Sequence, residues 1–273
     1  MGRMTAHEIT PRDLDFVLDA DRIADWNGGD PAKTVFLNAL SILFPHGERF
    51  FITAVAQYRR RITDPKLARE IAAFTQQEAL HTREHIAFNT AVERLVDARK
   101  LEAEVGALLA EARQHSSPLV CLAVTIALEH FTAILAKEVL DTPAQLRDAR
   151  EDYRRLWTWH ALEECEHKAV AFDVFEAVTG GRKTVLRRRV MLPVTGFFVW
   201  FVGKHIVALM RAQRLARSPL AWARLAWYLF GRPGIVRRIV PSYLAYFGRD
   251  FHPNDIDDRS MLARTRRLVD AWL

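Results

Sequence analysis

The sequence predicts an all-α fold: a four-helix bundle followed by additional C-terminal amphipathic helices. Three observations carry the prediction. Half of the residues are hydrophobic, and they recur mostly at helical spacing. Only 12 glycines and 11 prolines occur, and most lie between apolar runs rather than at the short, regular intervals of an all-β chain. Long apolar stretches open on a capping residue followed by proline, as at Asp64-Pro65 and Ser117-Pro118. There the side-chain oxygen satisfies an orphan N–H, and proline suits the first helical position. On this reading the chain divides into an N-terminal segment (1–31), the bundle (32–180) and a basic, apolar helical region (181–273).

Residues 1–30 are mixed and polar, and Trp26-Asn27-Gly28-Gly29-Asp30 reads as a loop. The first helix starts after Pro31; Pro45 and Gly47 are expected to interrupt and kink it. Glu48 follows among Phe44, Phe50 and Phe51, where an unpartnered carboxylate is costly to bury. The second helix is expected from 65 to about 97, with Ile71, Phe74, Glu78, His81, His85 and Phe88 at helical spacing, so polar groups replace apolar ones in mid-stripe. A short amphipathic helix (Leu101–Ala112) precedes a strongly apolar one from Leu119 to Leu140, with Glu129 at its middle. Thr142-Pro143 is expected to open the fourth long helix, running to about Val178 and ending at Gly180-Gly181. On it His160, Glu164 and His167 fall at i, i+4 and i+7 and share one face.

The acids and imidazoles therefore come in the order Glu48, Glu78-x-x-His81, Glu129, Glu164-x-x-His167, which is a weak internal repeat of a two-helix unit. One Glu-x-x-His arises easily by chance in a chain with ten His. Two, each preceded by a mid-helix Glu, form the ligand set of carboxylate bundles that hold two metal ions. Carboxylates and imidazoles without thiolates suit iron or manganese better than a structural zinc site.

At these residues the chain resembles the ferritin-like di-iron superfamily, over roughly residues 32–180. More narrowly, Phe44-Pro45-x-Gly47-Glu48, His160-x-x-Glu163-Glu164-x-Glu166-His167 and Phe251-His252-Pro253 resemble a bacterial family of predicted metal-dependent hydrolases. His160, one turn before Glu164, is similar to the additional histidine ligand of di-iron arylamine N-oxygenases. The resemblance implies that Glu48, Glu78, His81, Glu129, His160, Glu164 and His167 bind two iron ions, with manganese or a mixed Mn/Fe pair as alternatives and zinc a poorer fit. It also implies that Glu78 and Glu129 bridge the ions. His85, Glu163 and His252 are candidates for the layer behind the ligands. The expected function is O2-dependent oxidation of a small or lipophilic substrate, with electrons from an unidentified donor. The alternatives are a two-metal hydrolase and a non-catalytic metal-binding or membrane-surface protein.

Between Gly181 and Arg249 stand fourteen Lys and Arg and no Asp or Glu, so a chain of net charge +6 is acidic elsewhere. The basic region must face an anionic surface or pack on the acidic bundle. Its uncharged run, Val190–Gly203, is shorter than the ~20 residues of a spanning helix and contains Pro193. Aromatic stripes interleaved with arginine suit an interfacial helix on anionic lipid. Nucleic acid is a poorer match, for want of a recognised motif; a homo-oligomer is compatible. Two cysteines without a CxxC exclude a disulfide scaffold and suit a reducing cytoplasm, and Met1–His7 lacks the apolar core of a secretion signal. The expected location is therefore cytoplasmic, or peripheral on the inner face of the membrane.

Overall fold

A computed structural model describes residues 9–273; the reading of Met1–His7 lies outside them. Helices make up the fold, and among the described residues extended pairing is confined to an isolated antiparallel bridge between Asn27 and Ala149.

The first helix, α1 (Pro31–Ala56), opens on Asp30, whose side chain accepts from the Ala32 N–H. It runs unbroken through Pro45 and Gly47, where the sequence predicts an interruption. Proline lacks the N–H that would reach the Ser41 carbonyl. The Asn89 side-chain amide donates to that carbonyl instead, at 3.0 Å, so the helix carries on past Glu48. Helix α2 (Pro65–Val92) is capped by Asp64 and stops before the expected end near 97, because Asp97 is the N-cap of α3 (Ala98–His115). Helix α4 (Pro118–Asp141) is capped by Ser117 as its sequence suggests.

The fourth long helix of the sequence reading is divided. Thr142-Pro143 starts only a 3-10 turn. Residues 148–150 then pair with the loop at 26–28 (Gly28 N–H to Asp148 O, 3.1 Å; Arg150 N–H to Trp26 O, 2.9 Å). This pairing delays α5 to Glu151–His167. A turn at Lys168-Ala169 separates α5 from α6 (Val170–Thr179), which ends on left-handed Gly180, φ 60°. The turn coincides with Lys168, whose buried ammonium donates to Asp258 and to the Ile256 carbonyl.

Helices α1, α2, α5 and α4 contact one another in a closed ring. Around it lie α7 (Thr184–Ala212), α8 (Pro219–Phe230), α9 (Ile235–Ala245) and α10 (Arg259–Asp270). Helix α7 packs on α1 and α4, α8 on α1, α9 on α4, and α10 on α5. Contrary to the short span read from the sequence, α7 is continuous for 29 residues through Pro193. Helices α4 and α7 are both long and apolar enough to cross a membrane, but 83 % of the apolar window of α4 is buried, against 44 % of that of α7. Helix α4 is thus a core helix, whereas α7 turns much of its apolar surface outward.

Candidate metal centre

The ring of four helices places all seven ligand candidates in one interior region. Glu48 comes from α1, Glu78 and His81 from α2, Glu129 from α4, and His160, Glu164 and His167 from α5; none exceeds 4 % exposure. One ligand atom each from Glu48, Glu78 and His81 lie within 4.8 Å of one another, as do those of Glu78, Glu164 and His167 and those of His81, His160 and Glu164. Glu129 joins through His167, whose Nε2 stands 3.0 Å from Glu78, 3.6 Å from Glu129 and 3.7 Å from Glu164.

These contacts are close without being directed hydrogen bonds. Both carboxylate oxygens of Glu48, Glu78 and Glu129, Oε2 of Glu164, Nδ1 of His81 and Nε2 of His167 are buried and have no hydrogen-bond partner among the described residues. Buried polar atoms are nearly always paired, and each orphan costs about 1–3 kcal/mol. Such a concentration of orphans, all of them hard oxygen or imidazole donors, fits bound cations.

The electrostatics agree. Burial, reinforced by the neighbouring Glu78, pushes the Glu48 carboxyl well up. Burial likewise raises Glu78 and Glu129. Burial also opposes ionisation of Glu164, but His167, His81 and His160 outweigh it and hold that carboxyl well down. Burial works against a charged His81, yet Glu163 and Glu164 lift the imidazole to about 10. His167 is raised well above its usual range by Glu164, Glu78 and Glu129, again against burial. Protons thus occupy positions that a cation would take, and metal binding would release them.

Behind these donors lies a layer that fixes ring orientation, the usual second sphere of a metal site. His81 Nε2 donates to Glu163 Oε2 at 3.1 Å, which turns Nδ1 towards Glu164. The other oxygen of Glu163 accepts the Arg12 backbone N–H at 2.9 Å. His167 Nδ1 donates to Gln77 Oε1 at 3.0 Å, and Gln77 Nε2 donates to Glu166 at 3.1 Å. Glu166 is held by the guanidinium of Arg12 at 3.0 and 3.1 Å and by Arg266.

A third relay sets His160. The Ser41 hydroxyl donates to Asn89 Oδ1 at 2.7 Å, so its oxygen accepts from His85 Nδ1 at 2.9 Å. His85 Nε2 is then bare and accepts from His160 Nδ1 at 3.3 Å. The lone pair of His160 is left on Nε2, 3.7 Å from Glu164 Oε1. Burial keeps both rings neutral, His160 lowered to about 3 and His85 well below its ordinary value. Glu163 therefore lies directly behind the candidate ligands, whereas His85, which offers a ring nitrogen within 4.8 Å of ligand atoms of Glu48 and His160, stands both behind His160 and at the edge of the cluster itself.

His252 does not. Its Nε2 pairs with Asp173 at 2.8 Å, and its Nδ1 accepts the Asn254 N–H in a small capping box. The turn after Phe251 and Asp173 of α6 between them consume both nitrogens. Sequence reasoning missed Arg12 and Gln77. Gln77 was legible as a polar residue beside Glu78; Arg12 carried no local signal, since its partners lie about 150 positions away.

The model of a family described as predicted metal-dependent hydrolase matches residues 10–257, nearly the whole chain, and the chain belongs to that family. No curated protein and no solved structure matches.

Proposed function

We propose that this member of the predicted metal-dependent hydrolase family is a two-metal enzyme of ferritin-like arrangement that oxidises an apolar substrate with O2. The observation that carries the proposal is the set of buried carboxylate and imidazole atoms without hydrogen-bond partners. Glu48, Glu78, His81, Glu129, His160, Glu164 and His167 would hold the ions, which we read as iron, with manganese as the alternative. Two such ions, when bound, supply the electrons and Lewis acidity for O2 activation, and an external donor replenishes the electrons.

The chain's own residues orient and dry the site. Glu163, Gln77 and His85 fix the tautomers that turn His81 Nδ1, His167 Nε2 and His160 Nε2 inward. Phe44 stacks on His160 at 4.9 Å, Phe74 edges His167 at 5.0 Å and Trp159 edges His81 at 4.8 Å. This aromatic lining keeps bulk water from the donors, a condition that suits an oxidant better than hydrolysis. A cavity of about 20 Å³ touches His160 and shares Phe44 and Thr132 with a second, of about 30 Å³, beneath Phe197 and Phe198. Both are lined almost wholly by apolar side chains, and each has room for little more than a water-sized molecule; the apolar character of the lining supports a lipophilic substrate.

Hydrolysis is the second reading, and the family's description favours it. In that case the ions would activate water. Metal analysis of aerobically purified protein, followed by absorption spectroscopy on reduction and O2 addition, separates the two. Iron with a transient visible band is expected. Zinc, no response to O2 and turnover of ester substrates would overturn the oxidative reading.

A further inference from the structure

We infer that α7, α8 and α9 form a docking face for an anionic lipid bilayer. The inference stands apart from the chemistry proposed for the metal centre, because it rests on the outer surface alone.

The charge of this region has two explanations: pairing with acidic groups of the bundle, or attraction to an external anion. The structure separates them. Of the fourteen Lys and Arg between Gly181 and Arg249, only Lys204 (with Glu104) and Arg238 (with Glu138) form ion pairs among the described residues. Arg187 is buried instead against the rings of Tyr246 and Phe251 and the carbonyls of Tyr246 and Gly248. Most of the others, including Arg189, Arg211, Arg214, Arg217, Arg224 and Arg237, are exposed. The bundle therefore does not neutralise this surface.

Apolar groups stand between those charges. On α7 the outward stripe is Leu192, Val199 and Trp200, exposed by 63, 63 and 69 %. Gly196 and Gly203 lie on or beside it, with open space where a Cβ would be. On α8 the outward stripe is Leu220, Trp227 and Phe230, with Arg224 between them. Leu244 continues the pattern on α9, which is joined to α7 by a 2.9 Å hydrogen bond between Thr195 and Tyr243. Exposed tryptophans amid unpaired arginines match the headgroup layer of an anionic membrane, where aromatics sit at the boundary and each basic residue adds to the attraction. A second copy of the chain would bring like charges together across the same face, which disfavours that occupant. The bilayer also lies on the side where Phe197 and Phe198 of α7 roof the cavity adjoining the one at His160.

The test is flotation of the full chain with vesicles of phosphatidylglycerol and phosphatidylcholine in equal parts, beside phosphatidylcholine alone. Binding to the anionic vesicles, weakened by salt and absent from the neutral ones, is expected. W200S/W227S, both at exposed positions, should lower the vesicle association constant at least tenfold with the circular dichroism spectrum unchanged, and R189E/R224E should do the same. Failure to float at low salt would overturn the inference. So would a dimer in light scattering that W200S/W227S dissociates, because it would assign the face to a second copy.

Discussion

Replacing Glu129 by leucine should stabilise the metal-stripped protein while abolishing its response to metal. Glu129 is 2 % exposed, and among the described residues neither of its oxygens has a hydrogen-bond partner and the imidazole that pairs with it is that of His167, at 3.6 Å. A buried carboxyl in that state costs about 1–3 kcal/mol. Leucine removes the orphan and keeps most of the volume on a helix whose other core positions are mostly apolar. For a chain of this size each kcal/mol moves the melting temperature by ~2–4 °C, so a rise of several degrees follows. Metal linkage works in the other direction: at a hundredfold excess over the dissociation constant, the wild type gains about 2.7 kcal/mol. Thermal melts of both proteins, stripped with chelator and then loaded with Mn(II) or Fe(II), should show the order of stability reversing. A Glu129→Leu variant that melts lower than the wild type without metal would refute the reasoning, because the carboxyl would then be a satisfied structural group. Equal gains on metal loading would refute it too.

Three further outcomes follow from the surroundings of the site. Glu163→Gln leaves one acceptor for two donors, His81 Nε2 and the Arg12 N–H, and should weaken metal binding by ~10–100-fold in a chelator-competition titration, whereas Glu70→Gln at an exposed Lys66 pair should not. Arg12→Ala leaves the buried Glu166, among the described residues, with Arg266, Gln77 and the Thr10 N–H, and should cost about 3 kcal/mol in urea denaturation. His205 donates from Nδ1 to the Ala39 carbonyl, its Nε2 is buried without a partner among the described residues, and burial lowers it to about 4. Because the unfolded imidazole titrates near 6.5, the unfolded chain takes up the proton first as pH falls. Stability should decline between about pH 6.5 and about 4, by up to roughly 3 kcal/mol, and His205→Leu should flatten that slope in urea melts at successive pH values.

The parts legible in the sequence were those governed by local chemistry. Asp64 and Ser117 cap helices where they stand before proline, and the apolar surroundings of Glu48 and Glu129, with the helical spacing of the two Glu-x-x-His pairs, pointed to buried positions, where all of them lie. What was not legible depends on partners remote in the chain. Pro45 does not end α1, because Asn89 takes the carbonyl it frees. The helix read as continuous to Val178 is broken after His167, beside a lysine buried on Asp258, and the apolar pattern runs on across the turn. Glu163 and Glu166 read as ambiguous because both lie off the ligand stripe. Their role emerges only when Arg12 and Gln77 arrive from other segments. The sequence left open whether the basic region pairs with the bundle, and only the scarcity of ion pairs there favours an outer anion.

The most direct measurement is elemental analysis of the purified chain and of its H81A/H167A variant. Two ions of iron or manganese per wild-type chain, and almost none in the variant, are the expected result. A wild type without metal, or a variant that retains the same content, would contradict the claim that these helices converge on a pair of cations.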